Sequence, residues 1–238
     1  MTSDTDTPQA RLRAYAMTLE EHYEGVDDLV GDLRDHAEEQ GLDVTGEAIA
    51  AIAADIVVEA QAYFLLTVGY ADEYEIVQEL TELLEDSEVE YDPDAIERTV
   101  ERLRAERLEE QRDWPEVTDN DRLERAFIRL WRSGIVAEEN FTCCQTCGVS
   151  EIGGEVPEGT TMDGYAFFHQ QDTEAAVDGG TLLLAYGTFT DEPDPARATE
   201  IGERVVAALD AEGLRTEWDG SHKQRIEVTL NWQRRLPA

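Results

Sequence analysis

From Gln9 to Arg112 apolar positions recur at helical spacing, with breaks at Gly25, across Gly41 to Gly46, around Gly69 to Asp72 and across Ser87 to Pro93. This pattern predicts four or five helices. Glu47 to Val68 is apolar nearly all round, as a helix at the centre of a bundle must be, whereas Ile76, Val77, Leu80, Leu83 and Leu84 make a single stripe. Thr45 is placed to cap the first of these. Asp92-Pro93 supplies an N-cap and first turn for a helix running through Leu103. Arg98 to Arg112 is rich in charge and runs into Trp114-Pro115, where proline stops the helix. The expected first unit is a helical bundle over residues 9–114.

Beyond Thr118 the period changes. Thr118 or Asp119 caps a helix that turns Leu123, Phe127, Leu130 and Trp131 one way and ends near Gly134. Tyr165 to Gln171 and Thr181 to Phe189 read as strands, with Asp178-Gly179-Gly180 as the turn before the second. Pro195 to Glu212 is helical, and Leu214 to Trp218 and Arg225 to Gln233 are strands. In the last of these Ile226, Val228, Leu230 and Trp232 alternate with Glu227, Thr229, Asn231 and Gln233, so one face of the sheet meets water. The fold class expected is α+β. An N-terminal helical bundle is followed, over residues 118–238, by an α-β-β-α-β-β domain with a four-stranded, mainly antiparallel sheet and helices on one face.

Charge narrows the possible partners. The formal net charge is −36, no Lys or Arg occurs between Arg34 and Arg98, and Lys223 is the single lysine. Such a surface repels nucleic acid and anionic membranes, so a protein partner or a small ligand is favoured. The acidity fits a high-salt cytoplasm, a coding bias toward Arg, or mimicry of a nucleic-acid backbone. The polar stretch Met1 to Pro8 and the amphipathic Arg11 to Glu24 are unlike a signal peptide, and Asp55, Glu59 and Gln61 interrupt the most apolar segment, Ala48 to Val68. A cytoplasmic protein without a membrane span is therefore expected.

The three cysteines, Cys143, Cys144 and Cys147, lie within five residues, too local and too odd in number for a secreted disulfide framework. In Asn140-Phe-Thr-Cys-Cys-Gln-Thr-Cys-Gly148 the spacing of Thr142 and Gln145 suits a capping box, which puts the cysteines on a short helix. Free N–H groups at a helix start stabilise a thiolate, and Cys144 and Cys147 share a face. One chemistry is thiol catalysis, with Cys144 as nucleophile or redox thiol, Cys147 as resolving thiol and His169 as base. Another is metal binding. A single Cys-x-x-Cys gives two of the four ligands of a structural zinc, leaving Cys143, His169 and His222 as candidates to complete it and Asp172 as a weaker one. The plain alternatives are small buried thiols packing a loop, and His169 and Gln171 as half-buried strand residues.

Arg122, Arg125, Arg129 and Arg132 fall at i, i+3, i+7 and i+10 on one helix face, a candidate anion site that Arg234 and Arg235 extend. The competing expectation is that they pair with Glu124, Glu138 or the acidic first unit. The Trp218-Asp219-Gly220-Ser221-His222 cluster reads as a hairpin loop. P-loop, Gly-x-Gly-x-x-Gly, Gly-x-Ser-x-Gly and His-Glu-x-x-His signatures are absent from the sequence.

Taken together, Phe141-Thr-Cys-Cys-Gln-Thr-Cys-Gly148, Tyr165-Ala-Phe-Phe-His-Gln-Gln-Asp-Thr-Glu174, Tyr186-Gly187 and Trp218-Asp219-Gly220 with Arg225-Ile226 resemble an uncharacterised bacterial family, a domain of unknown function, over residues 121–235. The resemblance brings no activity, ligand or residue role with it. The leading expectation is a cytoplasmic binding or regulatory protein with a ligand or partner site beside the cysteine turn. A thiol-dependent enzyme and a zinc domain are the alternatives.

Overall fold

The computed structural model describes residues 7–19, 25–87, 89–190 and 194–236, which form two units. One holds the residues up to Glu110 together with Leu236; the other is Gln111–Arg235. The polar stretch Met1 to Asp6 and the end of the amphipathic segment, Glu20 to Glu24, lie outside the described residues.

The first unit contains α1 (Pro8–Ala16), α2 (Val26–Gln40), α3 (Gly46–Val68), α4 (Glu73–Glu85) and α5 (Pro93–Glu110). The nearly all-round apolar α3 packs against each of the other four and is the axis of the bundle. Thr45 caps it, accepting the Ala48 N–H at 3.2 Å. Among the described residues α3 is the one helix long and apolar enough to cross a membrane, but here Ile49, Ala53, Val57, Ala62 and Leu66 are buried in the bundle core. The α4 stripe is narrower than its sequence suggests. Ile76, Leu80 and Leu84 are buried while Leu83 is exposed.

In the second unit, α6 (Asp119–Arg132) begins with a capping box in which Thr118 Oγ1 accepts the Asp121 N–H and Asp121 Oδ2 accepts the Thr118 N–H. Then come β1 (Ile135–Glu138), α7 (Gln145–Glu151), β2 (Gly164–Phe167), α8 (Gln170–Gly179), β3 (Thr181–Gly187), α9 (Pro195–Ala211), β4 (Arg215–Glu217) and β5 (Ile226–Thr229). The sheet has five strands, not the four mainly antiparallel ones expected, in the order β1-β2-β3-β5-β4. Its first pair is parallel, with Ile135 opposite Gly164 and Glu138 opposite Phe167. The other pairs are antiparallel. In β5 the burial alternation of Ile226 and Val228 with Glu227 and Thr229 follows the sequence period and persists through Leu230 to Trp232 beyond the strand.

Two local differences account for the changed topology. Residues 135–137 are all buried, so β1 has no alternation to betray it. The expected strand Tyr165 to Gln171 stops at Phe167, because His169 and Asp172 form a capping box that starts α8. His169 is therefore a helix cap and Gln171 is helical, rather than both being strand residues. Likewise Asp178-Gly179-Gly180 is the end of α8, with Gly180 as its left-handed C-cap, φ 70°.

Candidate functional site

The cysteine turn is built where the parallel strands end. After β1 the chain passes through Asn140 and Thr142, both left-handed at φ 51° and 59°. For residues other than glycine this conformation is costly and must be imposed by surroundings. Here the surroundings come from the β2–α8 junction. The Phe141 N–H donates to the Phe168 carbonyl at 2.8 Å, the Gln170 N–H to the Thr142 carbonyl at 3.1 Å, and Thr173 Oγ1 to Asn140 Oδ1 at 2.7 Å. The Phe141 ring meets Phe167 edge to face, centroids 6.0 Å apart.

The expected Thr142–Gln145 capping box does not form. With the Thr142 carbonyl committed to Gln170 and its backbone left-handed, Cys144 takes the N-cap position of α7. The α7 helix then lies so close to Phe167 that a β-carbon on Gly148 would stand 2.3 Å from the ring. Glycine here is a matter of space. Phe167 is itself buried among Val136, Ile152 and Ala185.

These constraints gather the sulfurs. The thiols of Cys143, Cys144 and Cys147 all lie within 4.8 Å of one another, and the Cys143 and Cys147 sulfurs are 3.6 Å apart. Cys143 is exposed and the other two are partly so. Cys144 makes no close capping hydrogen bond with its sulfur, yet its thiol is drawn below the usual range, first by the backbone N–H of Cys147 and then by the Cys147 thiol. Cys147 holds its proton against its neighbours. Hydrogen bonding to Cys143, then to Cys144, pushes it up to about 11.

His169 neighbours the turn in the chain's path but is engaged with α8. Its Nδ1 accepts the Asp172 N–H at 3.3 Å and its Nε2 is 3.0 Å from Asp172 Oδ2, so Asp172 engages both ring nitrogens. Burial holds its pKa below the usual value; Asp172 opposes that shift and Arg225 adds to it. Arg225 Nη2 pairs with Asp172 Oδ2 as well. His222 is exposed in the loop between β4 and β5. Among the described residues, the cluster with metal-ligand spacing contains the three cysteines and neither histidine. The Asp172–Arg225 pair was not anticipated by sequence reasoning, and the His-x-x-Asp spacing signals only the His169–Asp172 capping box.

The arginine row is divided. Arg129 pairs with Glu212 at 2.6 Å, and Arg122 Nη1 lies 3.5 Å from the Glu212 carbonyl. Arg125 and Arg132 are exposed on the same helix. Arg234 pairs with Glu139 at 2.9 Å, and Arg235 donates to the Pro115 carbonyl at 2.7 Å. The Trp218 loop is anchored, since Trp218 Nε1 donates to the Tyr186 hydroxyl, whose single proton lies within reach of both the Ser221 and the Gln224 carbonyls.

Fold and site together define an α+β protein that presents a cluster of three free cysteines beside the carboxyl ends of a parallel strand pair. The chain belongs to the family described as Domain of unknown function (DUF6891), whose model matches residues 51–236 and so reaches from within α3 to the end of the second unit. No curated protein and no solved structure matches it.

Proposed function

We propose that this protein is a cytoplasmic binding or regulatory protein that holds one zinc ion on Cys143, Cys144 and Cys147 and leaves the fourth coordination position for a small ligand or a protein partner. The observation that carries this reading is the mutual approach of the three sulfurs, all within 4.8 Å. With zinc–sulfur bonds of about 2.3 Å at tetrahedral angles, sulfurs on one ion stand roughly 3.8 Å apart. The Cys143–Cys147 separation of 3.6 Å lies close to that edge. Thiolates prefer soft or borderline metals, and a reducing cytoplasm keeps them available. Three protein ligands with an open position is the arrangement of zinc sites that act on something, rather than of closed structural sites. A thiol, imidazole or carboxylate donor suits that position. Nucleic acid does not suit a chain of net charge −36.

The test is elemental analysis of the full chain purified under reducing conditions without chelator, followed by replacement of the metal with cobalt(II). Stoichiometric zinc, sulfur-to-cobalt charge-transfer absorption and loss of both in Cys144→Ser are expected. Metal-free protein that gives no thiolate absorption with added cobalt overturns the reading.

A further inference from the structure

Within the cysteine turn the sulfurs are not equivalent. Cys143 is exposed and its sulfur is 3.6 Å from that of Cys147. A disulfide needs about 2.05 Å, so roughly 1.5 Å of approach, within reach of a side-chain rotation, joins them. Both ends of the pair are fixed. Cys143 follows Thr142, whose carbonyl accepts from Gln170, and Cys147 precedes Gly148, which lies against the buried Phe167 ring. Cys144 is adjacent in sequence to Cys143, and a bridge between neighbouring residues closes a strained small ring. Cys147 is therefore the better partner for Cys143.

We propose that peroxide converts Cys143 and Cys147 into a reversible disulfide and that this bridge expels the metal, making the turn an oxidant-sensitive metal site. The proposal rests on the zinc-binding reading above. In the first step the Cys143 sulfur attacks one peroxide oxygen, the O–O bond breaks, and the other oxygen leaves as water after taking a proton. Cys143 is then a sulfenic acid. In the second, the Cys147 sulfur attacks the Cys143 sulfur, the S–O bond breaks, and the oxygen leaves as a second water after taking a proton from solvent, since zinc binding has already displaced the Cys147 proton. Two zinc-bound thiolates lose two electrons, hydrogen peroxide gains them, and two protons from solvent complete the two waters. Cys144 alone cannot retain zinc.

The experiment uses the full, reduced chain loaded with zinc and treated with one equivalent of hydrogen peroxide. Released zinc is followed with a chromogenic chelator, and the thiols are mapped by alkylation and non-reducing peptide mass analysis. Expected are a fall from three free thiols to one, alkylation of Cys144 alone, matching zinc release, and recovery of all three thiols with dithiothreitol. Cys144→Ser forms the same bridge, while Cys143→Ser and Cys147→Ser form none. A Cys144–Cys147 bridge, a disulfide-linked dimer, or retention of zinc with three free thiols overturns the proposal. A chain that never loads zinc refutes both the metal site and its expulsion. The thiol map of that metal-free chain then decides separately whether the Cys143–Cys147 bridge exists.

Discussion

Replacing Gly148 by alanine tests how the core and the cysteine turn are joined. The new β-carbon would stand 2.3 Å from Phe167 Cε2 and 2.6 Å from Cζ. Carbon atoms in contact sit about 3.5–4.0 Å apart, so one partner must retreat by roughly 1.2 Å or more. Phe167 cannot be that partner, since its ring is fully buried among Val136, Ile152 and Ala185 and meets Phe141 edge to face. The displacement falls on α7, which carries Cys147. Overpacking costs up to about 3 kcal/mol, and alanine's helical advantage over glycine returns about 1 kcal/mol, for a net loss of about 2 kcal/mol. Metal geometry tolerates only about 0.2 Å, so zinc affinity should fall at least tenfold. Urea unfolding of the metal-free protein and zinc titration against a competing chelator measure the two effects. Adding Phe167→Leu should recover part of the lost zinc affinity, because it removes the atoms struck. A variant stabilised by about 1 kcal/mol with unchanged zinc affinity, as helix propensity alone gives, would refute the reasoning.

Two further outcomes follow from the second unit. Thr118→Ala removes the acceptor for the Asp121 N–H at the buried start of α6 and should lower the unfolding free energy by about 1 kcal/mol, with Thr118→Ser close to wild type in the same denaturant titration. His169 has a folded pKa lowered by burial, so the unfolded chain takes up its proton first as pH falls; its contribution is full above about pH 6.5 and is lost through the folded value. His169→Asn preserves a helix-capping acceptor facing Asp172 and Arg225 but cannot titrate. Its urea midpoint should fall less than that of wild type between pH 7.5 and 5, and equal falls would sink the assignment.

What the sequence made legible follows from how strongly each segment is patterned. The long apolar α3, the alternation in β5 and the Thr45 cap are written in local periodicity and chemistry, and the structure keeps all three. The close grouping of the cysteines was also legible, because five residues cannot carry three thiols far apart. Elements whose identity depends on distant residues were not. β1 is four residues long with its first three buried, so its pairing with β2 decides that it is a strand. The two left-handed residues, Asn140 and Thr142, have no glycine to announce them. Cys144, not Thr142, caps α7, because Thr142 is left-handed and its carbonyl is held by Gln170, far along the chain.

The parallel pairing of β1 and β2 is the feature from which the site follows. Strands that run the same way end at the same edge, so residues 139–144 and 168–173 leave the sheet side by side. Ligand sites on parallel sheets gather at such carboxyl ends for the same reason. Antiparallel pairing would send the two segments to opposite ends, and the bonds from Phe141 to Phe168 and from Gln170 to Thr142 could not form. Those two bonds and the Thr173–Asn140 bond contribute about 1 kcal/mol each. Left-handed backbone costs roughly 1–2 kcal/mol at each of the two residues, so the bonds approximately offset it and packing of Phe141 on Phe167 tips the balance. The turn that gathers the sulfurs is thus only as stable as its attachment to the β2–α8 junction. Loss in Thr173→Val of the Thr173 hydroxyl, whose hydrogen bonds run to Asn140 and His169, should loosen the thiol cluster before it unfolds the sheet, read as faster alkylation of the cysteines at urea concentrations below the unfolding midpoint.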